Sequence, residues 1–152
     1  MAKYRAIDFD KVQKDYLVRL LKGDKSWSYT YNNEKYAITD DHFMAIMPRP
    51  FCFLSYDNSE MHWISPDCIN SFTKAADGTM PAYDTQTERV IAGGKKVHIF
   101  QLEDNTEVAI DPDYLKYFSG MSVHYSGTAN NAPIFVYALD MVVGLILPIK
   151  IK

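Results

Sequence analysis

Cysteine is scarce in this chain: Cys52 and Cys68 are the only two, and they lack the CxxC spacing of a zinc knuckle. A disulfide framework of the kind that staples small secreted domains is excluded, and both thiols are expected to be buried. Also missing is any apolar run near the roughly 20 residues that a membrane-crossing helix needs. The opening MAKYRAIDFD has neither the apolar segment nor the small-residue cleavage pattern of a secretory signal. The expectation is a cytoplasmic protein with no membrane partner.

Charge of one sign is lacking too. Sixteen Lys and Arg stand against nineteen Asp and Glu, a net charge of −3. Bulk charge thus draws the chain neither to nucleic acid nor to anionic lipid, although a local basic face can exist within an acidic total. Local catalytic signatures are absent as well: the sequence holds no P-loop, GxGxxG, GxSxG or HExxH. His42, His62, His98 and His124 form no pair at ligand spacing. In TDDH, residues 39–42, neighbouring strand residues would point to opposite faces, so a tight turn is expected there rather than a cation site. The chain therefore reads as a non-enzyme with no metal and no cofactor.

What is present describes a folded domain. At 152 residues the chain suits one domain, which at this size buries roughly 68–70% of its unfolded surface. Aromatic residues make up 14%, far from a disordered composition. AKYRAI reads as a short strand. A helix follows from Asp8 to Gly23, with Phe9, Val12, Tyr16 and Leu20 on one stripe. Its other side carries Lys11, Lys14, Arg19 and Lys22 against Asp15 alone, a face that would either meet phosphates or simply keep the helix in water.

Aromatic, β-rich runs around Asn32-Asn33 and Asp40-Asp41 predict a meander, and RPFCFLSYDNSEMHWI a further strand. Ser65-Pro66-Asp67 opens a short helix that stops at Gly78. Residues 79–94 have no clean period and read as a long connection or a bent strand pair. Strands KKVHIFQL and TEVAI flank a turn at Glu103-Asp104-Asn105. Asp111 caps a short helix in DPDYLKYFSG, and MSVHYSG pairs with APIFVYA across TANN. The closing run, Met141 to Ile149, has no charge and no polar alternation, which predicts a strand covered on both faces. The class is α+β: two similar β-α-β-β-β halves, about 1–60 and 95–152, with antiparallel sheets and helices on one side.

Three stretches in this order resemble a domain of the bacterial β sliding clamp family, the processivity ring of DNA polymerase III. YAITDDHFMAI is similar to the family's strand–corner–strand segment, with Asp40 and His42 matching while Asp41 and Phe43 depart from the usual Gly and Arg. VAIDPDYLKYFSGMSVHYSG is similar to the late strand, short helix and returning strand of its last domain. Leu147-Pro148-Ile149-Lys150-Ile151 stands where clamps close on a Met-Pro-Met-Arg-Leu type sequence. The resemblance covers about 8–48 and 97–152, not the middle.

That resemblance implies a DNA-clamp-like fold and non-sequence-specific contact with duplex DNA through basic helix faces: Lys11, Lys14, Arg19 and Lys22, with Lys116 from the second helix. It also implies replication proteins as partners, with Leu147, Pro148 and Ile149 walling part of a peptide pocket. A clamp chain contains three such domains and this one has room for one, so a complete pocket or ring would require a homo-oligomer. The alternative expectation is an interaction or inhibitory module of clamp-like fold that binds no DNA.

Overall fold

The computed structural model describes residues 9–23, 26–40, 42–51, 65, 67–118, 123–138 and 140–150. Helix α1 (Phe9–Leu21) is followed by a meander of β1 (Ser28–Tyr31), β2 (Lys35–Thr39) and β3 (Phe43–Pro48). The middle of the chain holds a 3-10 turn at Arg49–Phe51, helix α2 (Asp67–Ala75), and strands β4 (Met80–Val90), β5 (Lys96–Leu102) and β6 (Glu107–Ile110). A 3-10 helix, Pro112–Tyr117, then precedes β7 (Val123–Gly127), β8 (Ile134–Ala138) and β9 (Met141–Ile146). The strand expected at AKYRAI, most of the one expected after Arg49, Asp41, Pro66 and Gly120 lie outside the described residues.

The class is α+β as expected, but the strands join one antiparallel sheet rather than several, in the order β1-β2-β3-β9-β8-β7-β4-β5-β6. The two terminal meanders fuse because β3 pairs with β9, Phe43 opposite Ile146 and Ala45 opposite Gly144. Nor do all helices lie on one side. Phe43, Ala45 and Met47 of β3 pack with Val12 and Tyr16 of α1 and with Tyr117 and Phe118, whereas Met44 and Ile46 pack with Ile69 of α2 and with Ala76 just after it. Successive strand residues face opposite ways, so α1 and the 112–117 helix cover one face and α2 covers the other. Strands that are apolar on both sides need both covers.

The tail follows from the same requirement. β9 sits mid-sheet, and every residue from Val142 to Ile146 is buried. A bulge, where Val136 faces Gly144 but Tyr137 faces Val142, puts Val143 and Ile146 on the α1 side and Val142 and Leu145 on the α2 side.

Residues 79–94 hold a single long strand, β4, with a hairpin tip. Its pairing with β5 slips between Asp84 and Thr87, where Gln86 takes φ +57°. The Asp84 carboxylate accepts the Gln86 N–H at 2.7 Å, and Thr85 Oγ1 donates to the Ile99 carbonyl at 2.6 Å. The slip inserts two residues and so keeps the inside–outside phase, Ala82, Asp84 and Glu88 all standing opposite even-numbered residues of β5; the period is missing because every residue from Gln86 to Val90 is exposed.

The sheet is also rolled. Laid flat, the six inter-strand steps from β3 to β6 would span about 29 Å. Yet the Leu147 N–H donates to the His42 carbonyl at 2.8 Å, and the Ile149 N–H to the Ala109 carbonyl of β6 at 2.7 Å. Two residues of extended chain bridge only about 7 Å, so those two carbonyls stand at most about 13 Å apart. Rolling brings side chains from both ends of the sheet, Tyr29 and Tyr36 with Phe100 and Ile110, into one core under α1.

Close approach at Gly144 seals that core. A Cβ there would stand 2.5 Å from two ring carbons of Phe118 and 2.6 Å from the Met44 carbonyl oxygen. Gly144→Ala is expected to cost roughly 3 kcal/mol in chemical denaturation, since neither a central strand nor a packed ring can withdraw. Gly93→Ala, where nothing lies within 4 Å but φ is +87°, should cost only about 1–2 kcal/mol.

Candidate functional site

The helical period puts Lys11, Lys14, Val18 and Lys22 on one line along α1, opposite buried Val12 and Tyr16. Lys14, Arg19 and Lys22 are exposed, while Lys11 is half-buried. Arg19 stands to the side with its guanidinium over the Trp27 ring, 5.0 Å from the centroid, so its charge is oriented by an aromatic floor. Trp27 in turn meets Phe43 and Tyr117 edge-on at 5.3 and 6.4 Å.

Lys116 comes from the 112–117 helix. Asp111 caps that helix, its Oδ1 accepting the Asp113 N–H at 2.9 Å, with Pro112 at the first position. The segment is 3-10 rather than α. It docks on α1 through Tyr117, whose buried hydroxyl donates to Asp15 Oδ2 at 2.5 Å, and Lys116 Nζ lies 3.9 Å from the same oxygen. Arg19, Lys22 and Lys116 thereby line one shallow depression of about 300 Å³, together with Asp15 and Val18. Residues a hundred positions apart in sequence meet there; Lys11 and Lys14 continue the line but do not border the depression.

Asp15 is the residue whose role the sequence concealed. It looks like a lone acid spoiling a cationic face, yet it is the anchor that draws the second helix to the first. An acid amid cations one helical turn apart is the only signal, and its partner Tyr117 carries none. Asp40 plays a matching part: its carboxylate accepts the His42 and Phe43 N–H groups at 2.6 and 2.9 Å and the Tyr114 hydroxyl at 2.8 Å. Asp40 thus caps the start of β3 through its side chain and ties it to the 112–117 helix.

Burial first, and then the Asp15 bond, hold the Tyr117 hydroxyl well above the usual tyrosine range. Tyr114 is raised in the same way by burial and Asp40. Tyr125 is pushed up to about 12, by burial and then by Asp84. The folded protein therefore keeps protons that the unfolded chain releases near pH 10, so stability is full below about pH 10 and falls above it. Alkaline denaturation should show that decline, and Tyr117→Phe should make it shallower.

The other chemistry-bearing residues are dispersed. His98 Nε2 meets Asp84 Oδ1 at 2.5 Å, and His124 stacks on Tyr137 at 4.8 Å. Cys68 is half-buried, its thiol raised by burial, while Cys52 and His62 fall outside the described residues. Among the described residues no three His, Cys, Asp or Glu side chains gather in a way that could hold a metal ion. No helix among them is long and apolar enough to cross a membrane.

The tail residues divide. Leu147 is 37% exposed, whereas Ile149 packs against Val97, Ile99 and Ala109 on the outer face of β5 and β6. Pro148 is half-buried between them. Ile149→Ser should cost roughly 1–3 kcal/mol in denaturation, and Leu147→Ser less than about 0.5 kcal/mol.

Comparison of the chain with protein-family models, with curated proteins and with solved structures finds no match.

Proposed function

We propose that this chain is a non-enzymatic, clamp-like protein that grips the backbone of duplex DNA, without reading sequence, through the paired face of α1 and the 112–117 helix. One observation carries the reading. The Tyr117–Asp15 bond gathers cations from the two ends of the chain, Arg19 and Lys22 from α1 and Lys116 from the 112–117 helix, onto one exposed surface.

Chain order supports it. A helical segment followed by a three-stranded meander occurs twice, α1-β1-β2-β3 and 112–117-β7-β8-β9, and the two units meet antiparallel through their last strands, β3 and β9. Both helical segments lie on the same face and touch. Two halves of one clamp-like domain would pair in this way if the second half began at about 112 rather than at about 95 as expected from the sequence, with α2 and β4 to β6 as the connection. Phosphate contact through lysine and arginine on helix faces needs no base-specific groups, in keeping with a surface that presents ammonium and guanidinium ends.

A second reading is a protein-binding or inhibitory module that leaves DNA alone. The apolar side chains beside the cations favour it: Leu21 is 86% exposed and Val18 48%.

Salt separates the two. Titration of a duplex of about 20 base pairs should show affinity that falls steeply with salt, by about 0.9 log unit of affinity per log unit of salt for each phosphate contacted. Lys22→Gln with Lys116→Gln should reduce that slope by about two and leave the fold intact. Binding that ignores salt, or no binding at low salt, would rule out the DNA reading and leave the protein-binding one.

A further inference from the structure

We infer that the β4–β5 hairpin tip is a second contact for the same duplex, with Lys96 carrying the phosphate track beyond the helices; this rests on the DNA reading above. The hairpin tip, residues 91–96, belongs to the part of the chain that the clamp resemblance leaves uncovered.

Three observations place the tip on the track. First, Lys96 shares the strand parity of Phe100 and Leu102, which face the core beneath α1, so it stands on the face that α1 and the 112–117 helix cover. Second, Lys95 Nζ lies 3.2 Å from Asp111 Oδ2, the carboxylate that caps the 112–117 helix. At about 2 Å of rise per residue, the step from Asp111 to Lys116 is roughly 10 Å. The cations therefore run from Lys22 and Arg19 through Lys116 to Lys95 and Lys96 on one side of the molecule.

Third, the tip is built rigidly. Gly93 and Gly94 both have positive φ, the Ile91 N–H bonds the Lys95 carbonyl at 2.9 Å and the Gly94 N–H the Ile91 carbonyl at 3.0 Å. Ile91 is pinned against Val97, Ile99 and Ala109. Little ordering is left to be done when a ligand arrives.

Asp113 is exposed on the 112–117 helix between Asp111 and Lys116 and interrupts the track; the other acids near the tip are engaged or set back. Asp84 is engaged by His98, Asp111 by Lys95, and Glu88 stands opposite His98, farther from the tip than the Val90–Lys96 rung. Lys96 is exposed and has no acidic partner among the described residues. Arg89 is held by Glu107 through both carboxylate oxygens at 3.1 Å and Lys95 by Asp111 at 3.2 Å, so Lys95 marks the position of the tip and Lys96 is the charge it offers to a phosphate.

The test compares the parent with Lys96→Gln and Lys96→Glu on the same duplex, alongside lysine acetylation of the parent followed by mass spectrometry. Each variant should unfold at the parent's denaturant midpoint. Lys96→Gln should lower the salt slope by about one, Lys96→Glu should weaken binding further, and duplex should slow acetylation of Lys96 severalfold. If both variants match the parent while Lys22→Gln with Lys116→Gln binds more weakly, the hairpin contact is wrong and the helix reading stands. Acetylation of Lys96 at the same rate with and without duplex overturns the hairpin contact without any variant. A parent that binds no duplex at low salt overturns both. Polyglutamate that displaces duplex at equal charge concentration would assign the track to an acidic protein and overturn the inference.

Discussion

A strand that meets water on neither face must be covered twice, and β9 imposes that demand on everything around it. Its buried residues face α1, Tyr117 and Phe118 on one side and α2 on the other. The consequence is a layered domain in which a single sheet is sandwiched between unlike covers. Gly144 makes the first cover close-fitting, since the Phe118 ring lies where a side chain would stand. Burying this much apolar surface is the dominant favourable term in such a domain, and packing at native density is what turns it into one arrangement.

The candidate surface is a by-product of that packing. Phe118 ends the 112–117 helix, so the contact that seals Gly144 also sets where Tyr117 and Lys116 project. Tyr117 then finds Asp15, and an aromatic cluster of Trp27, Phe43 and Tyr114 locks the joint from below. Arg19 lies over Trp27 and so shares the same floor. Cations held by a packed interior lose less freedom on meeting a phosphate than lysines on free loops would. The hairpin tip repeats the principle at the other end of the 112–117 helix.

Much of this is legible in the sequence, and the failures have physical causes. The tail is read correctly from Val142 to Ile146, where loss of alternation means cover on both faces, but the strand stops at Ile146, and Met141 and Leu147 are exposed. The exposure of Lys14 and Lys22 could be read because the period of a helix is local, whereas Lys11 is half-buried and Arg19 turns aside over Trp27. The hairpins at 103–105 and 128–133 follow from turn residues between β-rich runs. β4 could not be read, because two inserted residues at Thr85-Gln86 interrupt its pairing and its far half is exposed on both sides. The single sheet could not be read either: whether β3 pairs with β9 is decided by contacts a hundred residues apart. The joining of Lys116 to Arg19 and Lys22 depends on that pairing and on Asp15, which a tally of charges treats as a defect.

Amide hydrogen exchange of the full chain, with and without a short duplex, is the most direct measurement. A DNA-gripping face predicts slowed exchange in the last two turns of α1 and in 112–117, with β1, β2 and α2 unchanged. Unaltered exchange along α1 and 112–117 at saturating duplex and low salt would contradict it.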